Sequence, residues 1–409
     1  MNISLDFPLF LTFPEFPQSL TTTATSIIFL IYTERMTRMF IRADKSVLQE
    51  AITPTLCAVA GKSTTAALEC LMLHATEEGI LEITGYDLNK GVKTRLPVLV
   101  LEAGGVLVNG SQLNAFIRSL PDGEVSIATD ERLVTTISCK KSKFELHGIS
   151  VDSFPTLPEL NGEKRFELEQ GLLKKMCQQV IFSVAQISTK PHLTGVLFEI
   201  KENNCRLVSC DGYRLSIRNE AISLMTGEEM SFIVPGKTIG ELIKLLDESE
   251  EKVNVELTRK YIIFSFKEMI FFSRLIEDTY TVYQKSIPSE YRIQAKVELS
   301  EAMSSVERAS LVIDEKTKSP LKCTLSHDGY MINCVTANGR VDEEFSIEFQ
   351  GDDAIEIGFN YRFLLDAFRG AGMSGDNEVM LQLNSPTLPM IIRPVDHDEY
   401  LYLVLPIRL

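Results

Sequence analysis

Asp211 and Tyr213, in the stretch CDGYRLS, are residue types that could act together as an acid and base pair. An Asp-Gly step between two alternating strands is, however, first of all a hairpin signal. The equivalent turns of the repeats described below read YDLNK and ANGRV, so no set of reactive side chains recurs there. The chain also lacks the phosphate-binding loop, zinc-protease, nucleophile-elbow and dinucleotide-binding motifs. We predict a protein that is not an enzyme; a hydrolase with an unrecognised active site is the alternative.

The cysteines and histidines do not have the spacing of a metal site. The eight cysteines are scattered, no Cys-x-x-Cys pair occurs, and the five histidines do not cluster near them. We interpret the cysteines as free thiols in a reducing cytosol. Adjacent carboxylates, such as Asp352-Asp353 and Glu250-Glu251, lie in turn-like stretches and are typical of solvated surface. The sequence predicts no cofactor and no metal.

The net charge of −15 bears on the class of partner. A simple nucleic-acid binder is expected to be basic, but an acidic protein can still carry one basic face. The charge therefore lowers the expectation of DNA binding without excluding it. The apolar run SIIFLIY near the start is too short to span a bilayer, and it lacks the basic flank and cleavage site of a secretory signal. We expect a cytoplasmic protein with no membrane partner.

The candidate residues lie on elements that repeat three times along the chain. A turn inside a strand pair recurs at Asp87, Asp211 and Asn338, separated by 124 and 127 residues. A strand-to-helix junction recurs in VLVNGSQLNAFIRSL, FIVPGKTIGELIKLL and IGFNYRFLLDAFRGA, with separations of 126 and 125 residues. An opening strand and helix recurs in MFIRADKSVLQEAI, RFELEQGLLKKMCQQV and KVELSEAMSSVERA. A period this long indicates repeated domains and not a solenoid.

Each repeat is predicted to hold two helices packed on antiparallel sheet, which is an α+β fold. Its second helix has apolar residues at three-and-four spacing, and alternating strands such as EVSIATDERLVTTIS follow. Linkers near ELNGEKR and IPSEYRIQ give domains at 36–160, 161–289 and 290–409. Residues 1–35, with three prolines and a Thr/Ser cluster, are interpreted as a misplaced upstream start outside the fold. The alternative is a tail with a targeting or partner role.

Repeated domains in a line would leave unpaired sheet edges at both ends. Closure into a ring removes those edges. Three domains closing alone and six domains closing as two chains satisfy this condition equally well.

Four stretches of the chain resemble the beta subunits of bacterial DNA polymerase III, the sliding clamps. They are CDGYRLS, SKFELHGISVDSFPTL, IGFNYRFLLDAF and the terminal VLPIRL, and the resemblance extends from about Met36 to Leu409. It implies a head-to-tail homodimer that forms a closed ring of six domains around duplex DNA, with helices lining the hole. The implied function is to tether the replicative polymerase and give processivity. The implied partners are the polymerase catalytic subunit, the clamp loader, repair polymerases and mismatch-repair factors.

The resemblance also implies which lysines face the phosphates of DNA, namely Lys62, Lys190 and Lys237. Helix residues Lys174, Lys175, Arg118 and Lys244 add to them. Each lysine alone is also compatible with plain surface, and their recurrence at equivalent repeat positions favours DNA. No base reading is expected, because phosphate contacts give position and salt dependence. The aromatic pair of the family is Pro191-His192 here, so that contact departs from the pattern.

The closing stretch YLYLVLPIRL is unusually apolar for a terminus. In the family these residues line a groove that captures short peptides from partner proteins. Carried over, the groove consists of Leu193, Cys210, Gly212, Tyr213, Arg214, Leu215, Phe363, Thr387, Pro389, Leu403, Leu405, Pro406, Ile407 and Arg408. The stretch is also compatible with a final buried strand, and both interpretations hold if alternate side chains face in and out. Cys210 replaces the usual Thr, and TYTVYQKS lacks the customary Phe-Pro or Tyr-Pro, so the preferred peptide can differ.

The resemblance places Phe144 of one subunit against Leu311 and Val312 of the other. Exposed apolar side chains at the end of a domain are what such a contact needs. Besides the hydrolase, a second rival is an interaction scaffold that has kept the fold and lost DNA binding. Loss of the lysines in the hole would favour the scaffold, and the lysines are present.

Overall fold

The computed structural model describes residues 38–222, 229–313 and 319–409. The predicted extension at 1–35 lies outside these residues. In the part of the chain that is described, no helix has the length and apolar character needed to cross a membrane. The described residues form two compact units. The first holds those up to Asp87 and Lys93–Thr156, and the second holds Leu88–Val92 and those from Leu157 to Leu409.

The first repeat contains two helices and nine strands. They are β1 Met39–Asp44, α1 Lys45–Thr55, β2 Cys70–Ala75, β3 Ile80–Tyr86, β4 Lys90–Pro97, β5 Leu99–Glu102, β6 Gly104–Asn109, α2 Gly110–Ser119, β7 Glu124–Thr129, β8 Val134–Cys139 and β9 Ser142–His147. One sheet has the order β5-β1-β7-β8-β9, and β4-β3-β2-β6 are neighbours in another. Leu48, Leu113 and Ile117 of the two helices are fully buried in the core between these strands.

The second repeat follows this order, but its described residues form no strand equivalent to β5. Its elements are β10 Lys164–Glu169, α3 Gln170–Ile181, β11 Gly195–Lys201, β12 Asn204–Cys210, β13 Arg214–Ala221, β14 Met230–Pro235, α4 Gly236–Leu245, β15 Lys252–Leu257, β16 Tyr261–Phe266 and β17 Met269–Arg274. The strands are antiparallel, with β10-β15-β16-β17 adjacent in that order.

The third repeat adds one short strand to this order. Its elements are β18 Ile293–Glu298, α5 Leu299–Ser310, β19 Leu321–Ser326, β20 Gly329–Thr336, β21 Gly339–Phe345, β22 Glu348–Gln350, β23 Ile355–Phe359, α6 Tyr361–Gly372, β24 Glu378–Leu383, β25 Met390–Pro394 and β26 Tyr400–Val404. A four-stranded sheet has the order β21-β20-β19-β23. The second and third repeats share a nine-stranded sheet, β14-β11-β12-β13-β26-β25-β24-β18-β22.

The three features that defined the repeats in the sequence are confirmed. The predicted turns connect β3 to β4, β12 to β13 and β20 to β21. The second helices α2, α4 and α6 begin at the predicted strand-to-helix junctions. The side chain of Asn109 accepts a hydrogen bond from the Gln112 amide at 3.0 Å, and Asn360 accepts one from Arg362 at 3.0 Å. Pro235 at the equivalent position cannot cap its helix in this way.

The last strand confirms that alternate side chains of YLYLVL face opposite sides. Tyr400, Tyr402 and Val404 lie in the core of the third repeat. Leu403 instead lies in an apolar cluster with Leu215 of β13. Because β26 pairs with β13 in antiparallel register, this strand joins two repeats and also presents a side chain to the cluster at their junction.

Candidate functional site

Most of the predicted groove residues surround a cavity of about 410 Å³ in the second unit. Nine of the fourteen predicted residues line it, namely Leu193, Cys210, Gly212, Tyr213, Arg214, Leu215, Pro389, Leu403 and Leu405. They come from both the second and the third repeat. Apolar walls with a few polar groups suit the capture of an apolar side chain from a partner.

Asp211 shapes the turn beside this cavity. One of its carboxylate oxygens accepts hydrogen bonds from the Tyr213 and Arg214 amides, at 2.9 and 3.0 Å. Gly212 has a φ of 91°, a left-handed conformation that glycine adopts without strain. Tyr213 projects from the turn and is 65% exposed. The hairpin interpretation of CDGYRLS is confirmed, since Asp211 accepts backbone hydrogen bonds instead of facing a reactive partner.

Arg214 holds the two repeats together at the edge of the cavity. Its Nε donates to Asp211 Oδ2 at 3.0 Å, and its Nη1 donates to Asp366 Oδ2 of α6 at 2.6 Å. Its Nη2 donates to the Phe182 carbonyl at the end of α3. The guanidinium carbon also lies 4.4 Å from the ring centre of Phe363. The positive charge of Arg214 is therefore paired with two carboxylates within the chain.

The tail reaches the cavity through Leu405 and then turns away. The Leu405 amide donates to the Tyr213 carbonyl at 2.9 Å, which fixes this leucine beside the turn. The regular strand ends at Val404, as expected for a chain that continues into Pro406. The Ile407 amide donates to the Gly358 carbonyl at 2.8 Å, so the tail forms one further bridge to β23. The family resemblance implies a place for Ile407 in the groove wall, and this backbone contact with a strand is additional to that expectation.

Five predicted groove residues do not line this cavity: Phe363, Thr387, Pro406, Ile407 and Arg408. Phe363 is nonetheless adjacent to it, because its ring centre lies 6.5 Å from that of Tyr213. The Thr387 hydroxyl lies 3.3 Å from that of Ser385, in the loop that leads to Pro389. Of the tail residues beyond Leu405, Ile407 forms the bridge to Gly358 of β23.

Five further residues line the cavity, namely Lys190, His192, Thr281, Tyr283 and Ser286. The family resemblance implies that Lys190 contacts DNA. It marks TYTVYQKS as a departure from the usual pattern and does not assign its residues to the wall of the groove. Tyr283 is buried, and its hydroxyl donates to Glu199 at 2.5 Å. Burial and this hydrogen bond raise the pKa of Tyr283 to about 12. The apolar and polar pattern of TYTVYQKS has no helical or strand period that would have placed these side chains.

His192 and Asp278 hold one rim of the cavity. Nδ1 of His192 lies 2.8 Å from Oδ2 of Asp278, and the His192 amide donates to the same oxygen at 3.3 Å. The hydrogen bond from His192 is the main reason that the pKa of Asp278 is lowered. The His192 ring also meets Tyr280 edge-on, with ring centres 5.7 Å apart. The contacts of His192 thus anchor the short 3-10 helix Pro191–Thr194, which carries Leu193.

The thiol of Cys210 behaves as a small apolar wall group. Burial raises its pKa, while the Gly212 amide and the Lys190 charge act in the opposite direction. A thiol that stays protonated is a poor nucleophile and a poor metal ligand. Among the described residues, no group of three or more His, Cys, Asp or Glu side chains could hold a metal ion.

The other predicted lysines have two kinds of surroundings. Lys62 and Lys237 are exposed, and neither forms an ion pair in the described part of the chain. Lys174 instead lies 3.4 Å from Glu248, and Lys244 lies 3.1 Å from Glu241.

The residues predicted at the dimer interface differ from one another in exposure. Leu311 is 83% exposed, whereas the ring of Phe144 stacks on a ring of its own repeat.

Three family models of the DNA polymerase III beta subunit match the chain in order. The N-terminal domain model matches residues 39–158, the central domain model matches 167–281, and the C-terminal domain model matches 284–408. The beta sliding clamp of Halalkalibacterium halodurans is 29% identical over 378 residues, covering 89% of this chain and 98% of the relative.

Solved structures are similar over the same extent. A putative DNA polymerase III beta subunit from Eubacterium rectale is 31% identical with a TM-score of 0.86, over 90% of this chain and 99% of that one. The DNA polymerase sliding clamp of Bacillus subtilis, at 24% identity, has the same fold with a TM-score of 0.87, over 91% of this chain and 100% of that one. The chain therefore belongs to the family of bacterial DNA polymerase III beta subunits, the beta sliding clamps, which are non-catalytic processivity factors of DNA replication.

Proposed function

We propose that the chain forms a head-to-tail homodimer, closed into a ring around duplex DNA, that holds partner proteins through short peptides bound in the cavity. The observation that carries the peptide site is that nine predicted groove residues from two repeats line one cavity. The partners inferred from the family are the catalytic subunit of the replicative polymerase, the clamp loader, repair polymerases and mismatch-repair factors. The ring would act in the cytoplasm, where bacterial DNA is replicated.

The junction between the second and third repeats supports a rule for ring closure. There, β13, the strand after the repeated turn, pairs with β26, the last strand of the next repeat. The equivalent strands β21 and β9 each end their sheets in the described part of the chain. We infer that β21 of one subunit pairs with β9 of its partner. Two such contacts close a dimer and leave neither strand unpaired.

The side chains near these two edges suit such a contact. Leu311, at the end of α5, and Val335, near the tip of the β20–β21 hairpin, are 83% and 70% exposed. The Val312 carbonyl accepts a hydrogen bond from Thr336 Oγ1 at 2.7 Å, which fixes the helix end against the hairpin. On the other edge, Phe144 stacks on Phe116 with ring centres 4.4 Å apart. An apolar patch would therefore meet a preorganised aromatic pair.

Replacing Leu311 and Val312 with alanine, or Phe144 with alanine, is expected to shift the dimer toward monomer. Losing a buried anchor at an interface costs about 2 kcal/mol or more, which is roughly 30-fold in the dimer dissociation constant. Sedimentation velocity measures the shift, and circular dichroism checks that the variants fold. Leu99→Ala is the matched control, because Leu99 is 54% exposed on the opposite edge strand β5. An unchanged sedimentation profile for the interface variants would reject the assigned contact.

The proposed contact with DNA is electrostatic and does not read sequence. Lys62 and Lys237, both exposed, would meet phosphates as the ring slides. Each phosphate contact releases counterions, so affinity should fall steeply with salt. Lys237→Met is expected to make the slope of log affinity against log salt concentration less steep by about one for each lysine that contacts a phosphate, or about two for the homodimer, without changing any preference for base sequence.

Retention on DNA is expected to be topological. Clamp loaded on nicked circular duplex should remain bound, and it should leave when a restriction enzyme linearises the circle. The reason is that a closed ring cannot leave a circle but slides off a free end. Gel filtration of the DNA-bound fraction before and after cutting measures this, and linear DNA with blocked ends is the control. Equal retention on open linear DNA and on circles would refute the ring.

A further inference from the structure

We propose that Asn338 is a site of spontaneous modification at the edge of the proposed subunit contact. The Gly339 amide attacks the Asn338 side chain, the side chain loses its amide nitrogen, and the isoaspartate that forms loosens the contact made by the neighbouring strand β21. The effect on the ring rests on the proposed dimer. The modification itself depends only on the turn between β20 and β21.

An asparagine that is followed by glycine favours this reaction, because glycine has no Cβ to hinder the approach of its nitrogen. The amide nitrogen of the glycine bonds to Cγ of the asparagine and closes a succinimide ring. The bond from Cγ to the side-chain nitrogen breaks, and ammonia leaves with the proton of the glycine amide. Water then opens the ring. Opening at the main-chain carbonyl gives isoaspartate, which carries a carboxylate and adds one methylene to the main chain.

The sequence has three Asn-Gly steps, namely Asn109-Gly110, Asn161-Gly162 and Asn338-Gly339. The structure restrains the first two. The Asn109 side chain caps α2 by accepting a hydrogen bond from the Gln112 amide at 3.0 Å, and Gly110 is buried. At the second step the attacking group is occupied, because the Gly162 amide donates to Glu256 Oε2 at 3.1 Å. Each of these hydrogen bonds must break before the ring can close.

The third step is open. Asn338 is exposed, and among the described residues its side-chain amide has no hydrogen bond. A Cβ built on Gly339 would have only Val312 Cγ1 near it, at 3.6 Å, apart from its chain neighbours. Thr336 and Gly339 pair at the end of the hairpin, where strand pairs open most readily. The reaction therefore needs only a local opening at this turn.

The equivalent turn of the second repeat stays open at a joint between strands. That turn precedes β13, which pairs with β26 of the next repeat. Tyr213 in this turn is nevertheless 65% exposed, and a Cβ on Gly212 would have no atom within 4 Å apart from its chain neighbours. We therefore expect Asn338 to remain in contact with water when β21 pairs with the partner subunit.

The turn also fixes the apolar patch that the proposed contact uses. Thr336 Oγ1 accepts a hydrogen bond from the Asn338 amide at 3.1 Å and donates to the Val312 carbonyl at 2.7 Å. This hydroxyl connects the turn to the end of α5, where Leu311 is exposed. A main chain that is one methylene longer cannot keep this two-residue turn. Isoaspartate should thus release the patch and weaken the dimer.

The test follows the full-length protein during incubation at physiological temperature and pH, in water enriched in heavy oxygen. Peptide mapping by mass spectrometry measures the label at each asparagine, and electron-transfer fragmentation separates isoaspartate from aspartate. Asn338 is expected to react about tenfold faster or more than Asn109 and Asn161, because each of those steps must first break a hydrogen bond. In urea the three sites should react at similar rates, since only the folded chain restrains two of them.

The matched variant is Asn338→Gln, because glutamine keeps the amide but would have to close a larger ring. After ageing, sedimentation velocity should show a higher monomer fraction for the unsubstituted protein and an unchanged one for Asn338→Gln. Isoaspartate at position 338 should be several-fold more abundant in the monomer fraction than in the dimer. Asn161→Gln is the control, and it should age as the unsubstituted protein does.

The outcomes separate the modification from the dimer. A rate at Asn338 in the folded protein that does not exceed the rates at Asn109 and Asn161 overturns the modification and leaves the ring standing. Isoaspartate shared equally between monomer and dimer overturns its effect on the contact. A chain that is monomeric before ageing overturns the proposed dimer and with it this effect, while the three rates still decide whether Asn338 is modified.

Discussion

Arg218→Met is expected to lower the free energy of unfolding of the second unit by about 2 to 4 kcal/mol. The Arg218 side chain is only 2% exposed, although it lies on β13 between two repeats. Its Nε donates to Gln179 of α3 at 2.8 Å, and its Nη2 lies 2.8 Å from Glu220 and 3.0 Å from Glu399. The Gln179 amide in turn donates to the Gly370 carbonyl at 3.0 Å. Methionine keeps much of the buried volume and removes every donor.

The loss would leave the Gln179 oxygen buried without its donor and two carboxylates without their shared cation. Calorimetry of the full-length protein should show a lower Tm, by roughly 2 to 4 °C per kcal/mol for a unit of this size. Arg274→Met is the matched control, because Arg274 is half exposed and its ion pair with Glu277 is expected to contribute less than about 1 kcal/mol. A Tm for Arg218→Met equal to that of the control would show that the arginine is dispensable for the junction.

The repeat architecture could be predicted because its signals are local. A few adjacent residues are enough to indicate each of these features. They are the turns at Asp87, Asp211 and Asn338 and the helix starts at Asn109 and Asn360. Apolar side chains at helical and strand spacing then identify the buried faces, as Leu113 and Ile117 show. Because such patterns depend on neighbours in sequence, they can be recognised before the tertiary structure is known.

The hydrogen bonds and ion pairs of Arg218 could not be predicted, because the residues that bind it are distant in sequence. Arg218 stands in RLSIRNEA, which has the pattern of an ordinary strand with exposed polar positions. Its partners Gln179 and Glu399 are 39 and 181 residues away. Only the pairing of β13 with β26 brings them together. A buried arginine therefore becomes recognisable once the register of that pair is known.

The same limit applies to the wall of the cavity. Lys190 recurs in a lysine pattern that favoured DNA, and no local signal indicated that it also lines the cavity together with Leu193. Tyr283 lies in a short 3-10 helix with no periodic signal, and it is positioned by Glu199 of β11. Residues in irregular segments are fixed by contacts with regular elements, and those contacts leave no local mark in the sequence.

Deleting Leu405–Leu409 is expected to weaken binding of a peptide from the polymerase by about 30- to 1000-fold, or about 2 to 4 kcal/mol. Leu405 lines the cavity, and its amide donates a hydrogen bond of 2.9 Å to the Tyr213 carbonyl. The truncation removes both the wall and this constraint on the turn. Dimerisation and DNA encirclement should persist, because Tyr400–Val404 still completes the shared sheet. Anisotropy titration with a labelled peptide measures the loss, and native mass checks the dimer.

A shorter deletion separates the cavity wall from the bridge that follows it. Removing Ile407–Leu409 eliminates the hydrogen bond from Ile407 to Gly358 and keeps Leu405 beside Tyr213. Since Leu405 lines the cavity and Ile407 does not, this variant should bind the peptide within a few-fold of the full-length protein. Equal losses in the two truncations would instead return Ile407 and Arg408 to the groove, as the family resemblance implied. If the longer truncation binds within about threefold of the full-length dimer, well under 1 kcal/mol, the tail is only a buried end and VLPIRL is not a peptide-binding element.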